Sequence, residues 1–206
     1  MPVVYAIDGV VPVVDPSAFI HPMASLIGDV VVGANCYVGP GASLRGDMGQ
    51  VVLKAMSNMQ DGCIAHTYAG GDVVVEEEAS VGHGGVLHGC HLERGALVGM
   101  NAVVMDDVTV GEYAIVAAMA FVPSGFQVPP RTIVAGIPAK ITRALKDEEI
   151  QWKRDGDQDY QGIIRRCHAS FEAVEALTDV AAVTGRRIDI PGIGPLYKSR
   201  KQVERS

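Results

Sequence analysis

Cysteine is scarce and scattered. The four residues, Cys36, Cys63, Cys90 and Cys167, show no CxxC spacing and no dense framework, which excludes a disulfide scaffold and a zinc knuckle. Each is expected to be a small buried thiol. Aromatics make up only 5% of the chain, with one tryptophan and four phenylalanines, so the core cannot be built on large rings. Basic charge is in deficit, 17 Lys and Arg against 24 Asp and Glu for a net charge of −7, which argues against nucleic acid as a partner. No apolar stretch approaches the length of a bilayer span, and no basic segment leads into an apolar run near the start. The expectation is a cytoplasmic protein with no membrane partner. What the chain has instead is glycine, 24 residues of it, and an apolar fraction dominated by Val and Ala. That mixture suits short strands with many corners.

A repeat underlies the composition. An aliphatic residue recurs every six positions at Ile20, Leu26, Val32, Val38 and Leu44, again at Val75, Val81 and Leu87, and then at Leu92, Val98, Val104, Val110, Val116 and Val122. A small or slim residue follows four positions later, as in Ala24, Cys36, Ala79, Ala96, Ala102 and Ala114. Neither a helical period of 3.6 nor simple alternation produces this lattice; a hexapeptide period predicts a parallel β-helix with three short strands per coil. The phase slips over 45–58, between Ala65 and Val75 around the loop TYAGGD, and between Leu87 and Leu92. Irregular coils in a regular solenoid are where function is usually inserted.

The expected fold is therefore all-β with a helical appendage: a β-helix domain over residues 1–140 and helices over 141–178 packed on the prism. Residues 179–206 read as an extended or partly disordered tail. Within the appendage, Ile150, Tyr160, Ile163, Ile164, Cys167, Phe171, Val174 and Leu177 have helical spacing, giving one short and one long helix with Asp147 or Asp157 as caps. The run Glu76, Glu77, Glu78 reads as a solvated corner.

Three histidines fall in register with the repeat. If three repeats make one coil, Ala65 and Leu87 lie one coil apart, so His66 and His88 project from one corner in adjacent coils. Two imidazoles there are within reach of one metal ion. His83 sits at the neighbouring corner and cannot easily join them. It can serve a second chain, so a site combining His66 and His88 of one protomer with His83 of the next would require a trimer. Three neutral imidazoles with one open position make a catalytic zinc site. The same counting places Arg45 under His66 and Asp61 under His83. Arg45 and Asp47 could pair at the interface, and Gln60 or Asp61 could position water. A purely structural salt bridge explains Arg45 and Asp47 equally well.

These residues lie in ASLRGD (42–47), NMQDGCIAH (58–66), VGHGGVLHGC (81–90) and ALVGMNAVVMD (96–106). With IVAGIPAK (133–140) and the helical segment after it, the chain resembles the γ-class carbonic anhydrase-like hexapeptide-repeat family from residue 3 to about 172. Its C-terminal piece is similar to that of the phenylacetic-acid-degradation (PaaY-type) proteins and their carnitine-operon relatives. The resemblance implies a left-handed triangular prism, a homotrimer, and interfacial Zn2+, with Fe2+ or Co2+ as alternatives. It also implies metal-assisted hydrolysis of coenzyme A thioesters of ring-derived acyl groups, by a hydroxide formed at the ion. The chain departs from the anhydrases in lacking their two proton-transfer glutamates: Met48 stands in one place, and TYAGGD carries no glutamate. Fast CO2 hydration needs such a proton route, so weak or absent anhydrase activity is expected. A carbonic anhydrase, a non-catalytic trimeric accessory protein and an acyltransferase are the alternatives.

Overall fold

The computed structural model describes residues 2–179 together with Ala181, Gly185, Arg186 and Ile188. The tail expected over 179–206 lies, apart from those positions, outside the described residues. The six-residue lattice forms a left-handed parallel β-helix with three faces. On the first face, Leu26, Leu44, Ala65, Leu87, Val104 and Val122 stack as register partners. The second stacks Val14, Val32, Leu53, Val75, Leu92, Val110 and Val128. The third stacks Ile20, Val38, Met59, Val81, Val98, Val116 and Val134. Each aliphatic residue points inward because the side chains on either side of it point out.

The interior is a continuous column in which Leu26, Leu44, Met59, Leu87 and Leu92 are all 0% exposed. Burying a side chain of that size contributes about 1.5–3 kcal/mol. The slim residues Ala24, Cys36, Ala42, Ala79, Ala96 and Ala114 are buried as well, filling the corners where a larger side chain has no room. The phase slip over 45–58 is a single long strand, Ser43–Leu53, which bends round a corner and belongs to two faces.

The appendage differs from its prediction. The last strand, Ala139–Ala144, turns back antiparallel on Thr132–Gly136, so sheet structure runs four residues past the expected boundary at 140. One helix, α1 (Asp147–Ser170), then replaces the expected short and long pair. Gly156 does not divide it, because the positions that dock α1 run through it. Glu149, Ile150, Lys153, Asp157, Gln161 and Ile164 are buried. Nor is an aspartate the cap: the Glu149 carboxylate accepts the Lys146 backbone N–H at 2.9 Å and is held bidentately by Arg143 at 2.7 and 2.8 Å. Asp147 opens the first turn with Glu148 and Glu149, where carboxylates suit the helix dipole, and Asp157 lies mid-helix.

The seam between α1 and the third face is polar. Lys153 Nζ donates to Asp157 at 2.7 and 2.8 Å and to the Glu78 carbonyl. The Ser80 hydroxyl donates to Asp157 at 3.1 Å, the Asn58 amide to Ser80 at 2.7 Å, and the Gln60 amide to Asn58 at 3.2 Å. Gln161 reaches the Asn35 carbonyl at 3.1 Å. Burial pushes the Lys153 ammonium down and the Asp157 carboxyl up, each opposed by the charge of the other. The glutamate run is also more structured than a solvated corner: Glu76 pairs with Lys54 and His91, and Glu78 with Arg94 and Tyr113.

Candidate metal centre

Leu87 pairs with Ala65 and His88 with His66, as the counting requires. The two imidazoles project from the corner between the first and second faces, their ring centroids 5.3 Å apart and tilted by 57°. Carboxylates from the coils on either side bracket them. Below, Asp47 Oδ1 lies 2.9 Å from His66 Nε2 while Arg45 holds its other oxygen at 2.5 Å. The Arg45 hydrogen bond, with help from His66, keeps the Asp47 carboxyl below its usual range. Above, Asp106 Oδ1 lies 2.5 Å from His88 Nδ1. A carboxylate on Nδ1 fixes the tautomer and leaves Nε2 as a lone-pair donor, the usual support of a metal-binding imidazole.

His83 stands at the other edge of the first face, with Asp61 Oδ2 3.1 Å from its Nδ1. Gln60 and Asp61 travel with His83, whereas Arg45 and Asp47 travel with His66 and His88. Among the described residues no single chain groups three His, Cys, Asp or Glu side chains about one point. The seven predicted residues therefore form two half-sites at opposite edges of one face. His88 suits a divalent metal through Nε2; His66, engaged through Nε2 with Asp47, offers Nδ1, and His83 is a third imidazole donor. The donor types fit the group, and one described chain brings two of the three imidazoles together.

Sequence reasoning missed two contributors. Asp106 holds His88, and its signal was its place two residues past Val104, matching His83 after Val81 and Asp61 after Met59. Tyr68, from the inserted loop, donates its hydroxyl to Asp107 at 2.6 Å and lays its ring over Gly89. Gly89 has a φ of +52°, and a Cβ there would come 2.7 Å from both the Tyr68 ring and Asp106 Oδ1. Glycine between His88 and Cys90 is thus required by the turn and by the close approach. The nearby thiols do not serve as nucleophiles: burial pushes Cys63 to about 11 and Cys90 to about 12. No disulfide forms among the described residues, and no described helix is long and apolar enough to cross a membrane.

Fold and register together define a hexapeptide-repeat solenoid protein. The bacterial transferase hexapeptide (six repeats) family model matches residues 89–124. The carnitine operon protein CaiE of Salmonella agona is 51% identical over 176 residues, covering 85% of this chain and 89% of that protein. The chain therefore belongs to the CaiE family of hexapeptide-repeat, γ-class carbonic anhydrase-like proteins. Among solved structures, a hexapeptide transferase family protein of Anaplasma phagocytophilum is similar with a TM-score of 0.76 and 36% identity, covering 79% of this chain and 96% of that one. A Bacillus cereus protein provisionally called an acetyltransferase gives a TM-score of 0.80 at 29% identity, covering 82% and 98%.

Proposed function

We propose that the protein is a metal-dependent hydrolase of coenzyme A thioesters that works as a homotrimer with a site at each interface. The observation that carries this reading is the split donor set: His66 and His88, bracketed by Asp47 and Asp106, at one edge of the first face, and His83 on Asp61 at the other. Cyclic packing, edge to opposite edge, joins one half-site to the other in every interface. His66 and His88 of one protomer and His83 of the next would hold Zn2+, or Fe2+ or Co2+ in its place. When bound, such an ion polarises a carbonyl and lowers the pKa of water. Asp106 keeps the His88 imidazole in the donor tautomer, and Asp61 is the carboxylate beside His83. Arg45 keeps Asp47 ionised beside His66. Gln60, its amide nitrogen anchored on Asn58, would use its oxygen as the acceptor that orients an incoming water.

The anhydrase alternative lacks a proton route. Met48 stands 52% exposed next to Asp47, and the one carboxylate of the inserted loop, Asp72, is taken by the Gln50 N–H at 2.9 Å. Acyl transfer is the second reading, favoured by the transferase names of the two similar structures. The relatives' name also brings carnitine-type acyl groups into the substrate panel beside ring-derived ones. The deciding experiment measures bound metal and thioester hydrolysis in the wild type and in His88→Ala. Loss of both is expected, and full hydrolysis by the metal-free variant would overturn the proposal. Stopped-flow CO2 hydration separates the anhydrase, and an acyl-acceptor requirement separates the transferase. A trimer that chelators dissociate, with no substrate turned over, is the outcome for an accessory protein.

A further inference from the structure

The loop TYAGGD, inserted directly after His66, is tied to every coil that carries a member of the two-histidine half-site. Below, the Gly70 N–H donates to the Met48 carbonyl at 3.2 Å, and the Asp72 carboxylate accepts the Gln50 N–H at 2.9 Å. Between those bonds Gly49 backs onto the Gly71 carbonyl with no room for a Cβ. The loop thus grips the strand just past Asp47. In its own coil it is rooted by Thr67, which is 0% exposed. Above, the Gly89 N–H donates to the His66 carbonyl at 3.0 Å, and the Tyr68 ring lies between Gly71 and Gly89. One coil higher, the Tyr68 hydroxyl reaches Asp107 at 2.6 Å, while the Asp107 N–H donates to the Gly89 carbonyl at 2.8 Å. Asp47, His66, His88 and Asp106 are therefore each followed by a residue that belongs to the loop or is held by it.

Tyr68 makes the longest reach of this set, from the coil of His66 past that of His88 to that of Asp106. It lies 38% exposed on two glycines, so it adds little to the core. Its hydroxyl acts on a demanding turn. Asp107 has a φ of +59°, and its carboxylate stands next in sequence to that of Asp106, whereas His88 offers one Nδ1 to be taken. An O–H donated to a carboxylate at this length is a strong, charge-assisted bond. With Tyr68 on Asp107, Asp106 is the carboxylate left for His88.

We infer that Tyr68 is a positioning residue for the metal half-site: it fixes the turn at Asp106 and Asp107 against the coils below, so that Asp106 meets His88 Nδ1 and the two imidazoles keep their 5.3 Å separation. This rests on the metal-centre reading and is independent of which substrate is turned over.

Tyr68→Phe keeps the ring and removes the hydroxyl. The Zn2+ affinity of the full chain, measured against a competing chelator, is expected to fall about tenfold, the lower end of the effect of outer-shell partners. Nitrogen NMR of labelled imidazoles in the metal-free protein, at about pH 8 where histidine is neutral, reads His88 directly once His88→Gln has assigned it. The wild type is expected to carry its proton on Nδ1, and Tyr68→Phe to show both tautomers. Asp107→Gly, which accommodates the positive φ, removes the same bond from the other end and is expected to give both changes should Tyr68→Phe not fold. A neutral acceptor keeps about half the strength of a charge-assisted bond, so Asp107→Asn is expected to lose only about threefold. Unchanged affinity and tautomer in Tyr68→Phe overturn the inference. A lower urea midpoint with His88 still in one tautomer also overturns it, because a loop of purely structural value would behave so. A wild type that binds no Zn2+ removes the metal-centre reading, and the tautomer shift in the metal-free protein then decides for or against Tyr68 by itself.

Discussion

Replacing Lys153 by methionine tests the polar seam at its most constrained point. The side chains of Lys153 and Asp157 are 4% and 5% exposed, so the change keeps most of the packing volume but strands a carboxylate under α1. Removing one partner of a buried ion pair costs about 3–5 kcal/mol, because the other is left uncompensated. That corresponds to roughly two to four decades in the equilibrium for docking the helix. Replacing both residues, as Lys153→Met with Asp157→Leu, removes the stranded charge. Both variants leave the Glu78 carbonyl without its Lys153 donor; beyond that shared loss, the penalty of the double variant is the Ser80 hydroxyl, which loses the acceptor it now has at 3.1 Å, about 1–3 kcal/mol. Urea titration followed by Trp152 fluorescence, one residue away, and by helix circular dichroism gives both values. A single variant that loses less than about 1 kcal/mol, or a double variant no better than the single, would show that the seam does not carry an ionised pair.

Asp106→Asn leaves His88 in place but removes the anion from its Nδ1; metal affinity measured against a competing chelator should fall about 10–100-fold. The Arg94 hydrogen bond lowers the Glu78 carboxyl below its reference of 4.5, so the stability it contributes is present above that value and lost as pH falls through the lower folded pKa. Arg94→Ala should therefore shift the urea midpoint more at pH 7 than at pH 3; an equal shift at both would refute the assignment.

The register was legible in the sequence because a hexapeptide lattice leaves little freedom. Once Leu44, Ala65 and Leu87 share a face, the neighbours Arg45, His66 and His88 must share a corner, and the structure pairs Leu44 with Ala65 and His66 with His88. What was not legible depends on partners that obey no period. Asp106 looks like any turn aspartate until the coil above His88 is built. The number of helices was misjudged because apolar spacing was followed in α1, whereas its docking edge is the polar column Glu149, Lys153, Asp157, Gln161 at intervals of four. Nothing in a polar column of that kind marks it as buried; the hydroxyl, amide and carbonyl groups it meets on the third face make the burial tolerable.

The placing of the two half-sites at opposite edges of one face has a genetic consequence. In the proposed ring each chain contributes to two sites, so a chain lacking His83 spoils one of them and still serves the other with His66 and His88. A cell carrying one allele defective in His83 and another defective in His88 would rebuild intact sites wherever the sound edges of the two products met. Loss of function at this locus would then be graded and mutually rescuable, because the unit that selection sees is the seam between chains.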